Sequence, residues 1–345
     1  MFGLARLTAH ANVAGYGVIL GLTELRMQRF PVVLFLIAFL SLVPHTAGEP
    51  VTGGSVKVTE QDDGYLFQEG SDEVFFYQLA AKSIDGKFER SNYVHPLYDL
   101  EGNVLTEDFP KDHFHQRGIF WAWHQVLVNG KRVGDQWATI DSIWEVQDRK
   151  ALPSEKGSAA VQVKMHWKSP RWLGKDGKQK GFVEEVTTIC AHPREGNFRK
   201  IDFTIQLTAL EDDVRIGGSE DVKGYSGFSA RIQLPKDIRF LGHDGPVSPQ
   251  ETAVDAGPWL DFSGSYGAKP GSGLAILMHP SVPSFPQPWV LRAARSMQNP
   301  AYPGRHAVRL PTDEPLTFRY RLIVHKGELT RDRLDQLQAA YAKSN

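Results

Sequence analysis

Cys190 is the only cysteine among 345 residues. No disulfide can form within the chain, so a sizeable core must hold the fold. Neither charge sign prevails, with 39 Lys+Arg against 40 Asp+Glu. That balance removes the electrostatic argument for nucleic acid as a partner. Glycine and proline are scattered without a period, which excludes collagen-like and repeat architectures. The chain has no Gly-rich phosphate loop, no HExxH, no CxxC and no GxSxG. It also lacks an apolar run of the ~20 residues that a membrane-spanning helix needs.

The longest apolar run, "FPVVLFLIAFLSLVP", follows Arg26 and Arg29 and precedes Ala47 and Gly48. A positive segment, a short apolar segment and small residues form the order of a secretory signal. The expected organisation is an N-terminal extension and signal over 1–48 and a single β-rich domain over 49–345. The mature chain is then exported, periplasmic or extracellular, with no membrane span. An uncleaved anchor is the alternative, and Met27 is an alternative start to Met1.

Strand patterns fill the rest. "SVKVTEQ", "YLFQEG", "EVFFYQLA", "AAVQVKMHW", "FVEEVTTICAH", "KIDFTIQLTAL", "FSARIQL", "GLAILMH", "HAVRLP" and "LTFRYRLIVHKG" alternate or run β-branched and aromatic. In the sixth, Ile201, Phe203, Ile205 and Leu207 share one face. Cys190, in the fifth, reads as a small core residue. Only "TRDRLDQLQAAYAKS" has helical spacing, with Thr330 as N-cap and Asp332 in the first turn. "KSPRWLGKDGKQKG" reads as an exposed hairpin tip. Many strands and one terminal helix predict an all-β fold, a large antiparallel β-sandwich.

Three stretches carry polar groups into apolar surroundings. "DHFHQRGIFWAWHQV" sets Asp112, His113, His115 and Arg117 beside Trp121 and Trp123. As an extended strand it points His113, His115 and Arg117 to one side. Two such histidines can act as acid and base, or can chelate a metal. The bland alternative is that they satisfy backbone groups beneath an aromatic lid. "GGSEDVKGYSGFSARIQLP" offers Glu220, Tyr225 and Arg231. Arg231 sits within a strand pattern, and a buried Arg needs an anionic or hydroxyl-rich partner. "LMHPSVPSFPQPWVLRAARSMQNPAYPG" places His279 at a strand end and Trp289 in a Pro-rich loop. Rings and amides together suit a sugar. Otherwise Trp289 is only a packing anchor.

"YVHPLYDLEGNVLTEDFPKDHFHQRGIFWAWHQV", "KGYSGFSAR", "WLDFSG", "HPSVPSFPQPWVLR" and "QNPAYPG" together resemble the exported bacterial PmoA-like family, which carries the label "methane oxygenase PmoA". His115-Gln116-Arg117 departs from the usual "HHR" of that pattern. A membrane oxygenase needs several spanning helices, so the resemblance implies an exported protein instead. Its β-rich blocks are similar to the galactose-mutarotase-like supersandwich, a fold of many carbohydrate enzymes, and imply that fold here.

The function expected is an exported enzyme acting on a carbohydrate by hydrolysis, elimination or epimerisation. His113, His115, Arg117, His279 and Asp112 are its catalytic candidates. Trp121, Trp123, Arg231, Tyr225, Trp289 and Glu220 are its substrate-binding candidates. The substrate is a small molecule or glycan, and no cofactor is favoured. One alternative is a metal-dependent oxidoreductase with a divalent metal at His113 and His115, completed by His279 or Glu220. The other is a non-catalytic carbohydrate-binding module.

Overall fold

The computed structural model describes residues 54–266 and 271–344. The expected signal segment, its cleavage site and Met27 lie outside the described residues. Two antiparallel sheets dominate. The smaller runs in the order Val56–Gln61, Gly64–Glu69, Asp72–Gln78, Tyr93–Leu97, Ile119–Trp123, Ser226–Ala230. The larger has nine strands. Its centre pairs Ala159–Lys168, Val183–Ala191, Phe198–Ala209, Leu316–Lys326 and Ser272–Met278 in that order. The described residues form an all-β antiparallel sandwich with one C-terminal helix among them, Arg331–Tyr341.

Alternation builds the interior. Val161, Val163, Met165 and Trp167 point inward from one strand, and Ile201, Phe203, Ile205 and Leu207 from another. The same alternation turns Cys190 outward, because its neighbours Ile189 and Ala191 take the core. Cys190 is half-buried, which corrects its reading as a core residue. Rings of the two sheets meet directly. Trp123 lies 5.6 Å from Trp167, and Phe228 lies 4.5 Å from Tyr320. At the centre, Glu185 is fully buried and accepts hydrogen bonds from Asn92, Trp121, Trp167 and Thr187 at 2.7–2.8 Å.

Both sheets are also covered outside. The helix packs Leu334, Leu337 and Tyr341 against Trp259, Leu277 and Ile323 of the larger sheet. Thr330 caps it by accepting from Arg333 N at 3.2 Å. Thr330→Ala should cost about 1 kcal/mol in urea unfolding. An unchanged midpoint would mean that the cap contributes nothing. On the smaller sheet, Tyr93, Phe120 and Ala122 face outward and pack with Trp137, Val290 and Met297. Ile119–Trp123 is therefore buried on both faces, and that outer layer positions the histidines.

Two expectations shift in detail. "HAVRLP" contributes only a two-residue strand, Val308–Arg309. Ile143–Leu152 and Trp259–Gly264 are strands that the sequence did not nominate. The former is largely exposed, and the latter is buried at every position. Neither therefore displays a period of two. The "KSPRWLGKDGKQKG" tip joins two central strands of the larger sheet, as expected, with Leu173 bridging Gln179.

Candidate functional site

The residues before Ile119 are not a strand. His113 N donates to Pro110 O at 3.0 Å and Gln116 N to His113 O at 2.9 Å, so the segment folds as successive turns. Gly118 ends it with φ +52, and a Cβ there would lie 2.0 Å from Val94 O. Only glycine permits both that backbone and that approach. The predicted single face of His113, His115 and Arg117 is thus replaced by a loop that splits them.

Arg117 turns inward and is fully buried. Its Nε pairs with Asp108, Nη2 donates to Tyr93 Oη at 2.5 Å, and the Phe109 ring lies 3.3 Å from its guanidinium carbon. Arg231 lies just past the strand Ser226–Ala230 and is equally committed. It donates to Glu107 at 2.6 Å, to Gln116 at 2.9 Å and to both oxygens of Asp112 at 2.9 and 3.1 Å. Neither guanidinium is free to hold a substrate. Both instead fix the loop, through partners that the sequence reading left out: Asp108, Glu107 and Gln116.

The histidines stay at the surface of this frame. His113 Nδ1 lies 2.9 Å from Asp112 Oδ2, and the His113 side chain is 41% exposed. His115 sits edge-on to it with ring centres 5.6 Å apart. The ring nitrogens of His115 make no hydrogen bond with the described residues. Burial, followed by the charges of Arg90, His113 and His124, pulls its pKa down to about 4. Burial opposes the charged form of Asp112, but hydrogen bonds from His113 and Arg231 outweigh it and keep the carboxyl below its usual range.

Two further histidines join them. His95 bonds Thr106 Oγ1 through Nδ1 at 2.9 Å, and burial lowers its pKa to about 4. His124 bonds Asp135 at 2.9 Å and stacks on Trp137 at 5.4 Å. Trp137 in turn stacks on Tyr225 at 5.5 Å, and Arg292 donates to the Tyr225 hydroxyl at 2.7 Å. Tyr225 therefore lies in this neighbourhood. Trp137 went unnoticed because it lies in a loop with no pattern around it.

Other candidates lie elsewhere. His279 bonds Ser281 Oγ at 2.7 Å and Ser344 O at 3.2 Å, and its ring packs on Tyr341 of the C-terminal helix. Glu220 is 70% exposed and pairs with Arg132. Trp121, Trp123 and Trp289 are at most 2% exposed and donate to Glu185, Tyr302 O and Gly257 O. They are core residues and cannot stack on a ligand. The metal set of His113 and His115 with His279 or Glu220 does not assemble. Among the described residues no three His, Cys, Asp or Glu side chains are placed to hold a metal. Clefts of about 490 and 720 Å³ are present, but neither is lined by a histidine.

The low pKa values of His95 and His115 carry a stability consequence. Each binds its proton less readily folded than unfolded, so its contribution is complete above about pH 6.5 and lost as pH falls through about 4. Unfolding free energy should fall between pH 6.5 and 4.5, and the slope should shrink in a His95→Gln/His115→Gln double variant. An unaltered slope would refute the assignment.

Residues 66–339 match a family described as a family of unknown function, DUF6807. The chain belongs to that family. No curated protein matches the sequence. Among solved structures, the chain is similar to the alpha-galactosidase from Lactobacillus brevis, with 8% identity, a TM-score of 0.37 and 83% of this chain covered. It spans 41% of that enzyme's chain. It is also similar to YeaD of Salmonella typhimurium, described as a "putative mutarotase", with 8% identity and a TM-score of 0.30. That match covers 79% of this chain and 94% of the other. Likenesses this distant assign no residue a role, so the reading of this DUF6807 member rests on its own geometry.

Proposed function

We propose that this DUF6807 protein is an exported enzyme that acts on a carbohydrate, with His115 and His113 moving the protons. The observation that carries the reading is the pair itself. Two imidazoles meet nearly at right angles with ring centres 5.6 Å apart, one bonded to Asp112 and the other without a hydrogen bond among the described residues. A side chain that merely satisfied buried groups would be bonded. His115 is neutral at physiological pH and so is available to accept a proton. Asp112 orients His113 as its counterpart, as a carboxylate does in a base-and-orienter arrangement.

Arg231 and Asp112 explain why the loop stays rigid. The buried guanidinium grips Asp112, Glu107 and Gln116 together. Catalytic groups need such support to hold a productive geometry. Because Asp112 and Glu107 are both engaged by Arg231, they do not serve as the free carboxylate pair of a glycosidase. Proton transfer by histidine in elimination or epimerisation, or in assisted hydrolysis, accounts for the arrangement better. Tyr225, half-buried beside Trp137, supplies the aromatic flank for a sugar ring.

The test is turnover by the exported protein on a panel of oligosaccharides and glycosides, read by mass and by the anomeric proton signals. Asp112→Asn should lower the rate and move the pH profile, because the carboxylate that orients His113 is neutralised. Absence of turnover or binding across the panel would defeat the reading.

A further inference from the structure

The cleft of about 720 Å³ opens where the short strands Arg239–Gly242 and Gly245–Pro246 end the larger sheet, beside the start of the C-terminal helix. Its walls are apolar. Leu234, Ile238, Leu241 and Val247 line it half-buried, and Leu329 lines it from just before the helix. Arg239 and Glu328 form an exposed ion pair at its rim. Two polar side chains line it from the neighbouring strand Trp259–Gly264: Asp261, 1% exposed, and Ser263, 6% exposed. Two positions apart, they share one face of that strand.

Asp261 is half engaged. Its Oδ1 lies 2.8 Å from Nε2 of the fully buried His325, whose Nδ1 lies 2.9 Å from Gly327 O. A carbonyl oxygen only accepts, so Nδ1 carries a proton. Nε2 and Oδ1 share another, because two facing lone pairs would repel at that distance. The pair as a whole is therefore neutral. Gly273 makes room for it, since a Cβ there would lie 2.2 Å from His325 Nε2. Asp261 Oδ2 and Ser263 Oγ have no hydrogen bond among the described residues. Neither is among the unpartnered atoms that the fold closes to solvent. Both are thus reachable, and the cleft is the space they line. Apolar walls with a few placed polar groups are the usual make-up of a small-molecule site.

From this geometry we propose that the cleft binds a neutral amphipathic alcohol or phenol, with its hydroxyl donating to Asp261 Oδ2 and its apolar body against Leu241, Val247 and Leu329. The site is separate from the histidine loop and does not depend on the carbohydrate reading. A hydroxyl supplies the donor that Oδ2 lacks, and a bond to a carboxylate oxygen is stronger than one between neutral groups. A carboxylate ligand would meet Oδ2 with like charge. An ammonium would add a cation that the neutral Asp261–His325 pair cannot balance, among apolar walls. Ser263 Oγ, which can donate or accept, serves a second polar atom of the ligand.

The experiment measures binding of 4-propylphenol, its methyl ether, 4-propylbenzylammonium and 4-propylbenzoate to the full chain by calorimetry. NMR contacts to the methyl groups of Leu241, Val247 and Leu329 locate each ligand. The phenol should bind at least about tenfold tighter than the other three, as expected for a hydrogen bond to a charged acceptor. Asp261→Asn should erase that preference, because the amide oxygen stays with His325 and the amide nitrogen cannot accept. If Asp261→Asn fails to fold, the wild-type order of the four ligands and the loss of binding in Val247→Asp decide. Equal binding of phenol and ether would overturn the inference, since the cleft would then be merely apolar. Tighter binding of the ammonium or the benzoate, contacts outside the cleft, or no binding would each overturn it too. So would self-association that Val247→Asp abolishes, which would make this face an interface between copies. None of these results touches turnover at His115, so the two readings stand or fall separately.

Discussion

His115→Gln is expected to lower turnover by about 10²–10⁴-fold, the usual contribution of a positioned acid or base. Stability at neutral pH should change by no more than about 0.5 kcal/mol, as for substitutions that orphan no partner. The reason lies in the contacts. His115 makes no hydrogen bond among the described residues, so its removal leaves no buried group unpaired. Below pH 5 the variant should be more stable than the parent, because the penalty for protonating His115 disappears. Activity and melting temperature measured on the same preparation decide the matter. Intact turnover with a large fall in Tm would make the histidine structural and remove the base from the mechanism.

The largest stability effect belongs to a residue with no proposed role in chemistry. Glu185→Ala should destabilise by about 4 kcal/mol or more, since each orphaned buried donor costs about 1–3 kcal/mol. Four donors converge on this carboxylate. Trp121 Nε1, Asn92 Nδ2 and Thr187 Oγ1 reach Oε1, and Trp167 Nε1 reaches Oε2. They come from both sheets, so the carboxylate ties the sandwich across its centre. Glu185→Gln should cost less, because its amide oxygen keeps part of the set while the amide nitrogen cannot accept from an indole N–H. Urea unfolding with tryptophan fluorescence reads both variants. A loss under about 2 kcal/mol for Glu185→Ala would show that the surroundings relax around the gap.

Alternation made most of the fold legible. "AAVQVKMHW" and "KIDFTIQLTAL" face the core on one side only, and their period of two survives in the structure residue by residue. The same rule failed at "HFHQRG", where polar and aromatic residues alternate but the chain turns. Burial does not alternate there, since residues 113–115 are half-buried and Gln116, Arg117 and Gly118 are buried, and Gly118 with its left-handed backbone was the signal of a break. It failed again at "IFWAW", where both faces are buried and no period remains.

The candidate site was half legible. The density of His, Asp and Arg in one aromatic stretch located the loop, and His113, Asp112 and Tyr225 lie in or beside it. Long-range partners were invisible. Arg231 meets Asp112 across 119 positions, and Arg90 meets Gln136 across 46. The tryptophans misled for a related reason. A large ring in a polar stretch suits a sugar surface and a core equally, and only the direction of its strand face chooses between them.

The sequence by itself determined the class of the molecule: an antiparallel sandwich, a capped terminal helix, and titratable groups concentrated between Asp112 and His124. These follow from local periods, local caps and local composition, which need no partner. Tertiary structure alone decided which arginines are clamps, which rings are core, and that His279 packs on the helix and not in the histidine loop. Those outcomes depend on which strands become neighbours. Pairing of distant strands is set by the whole core at once, and no local stretch of residues encodes it.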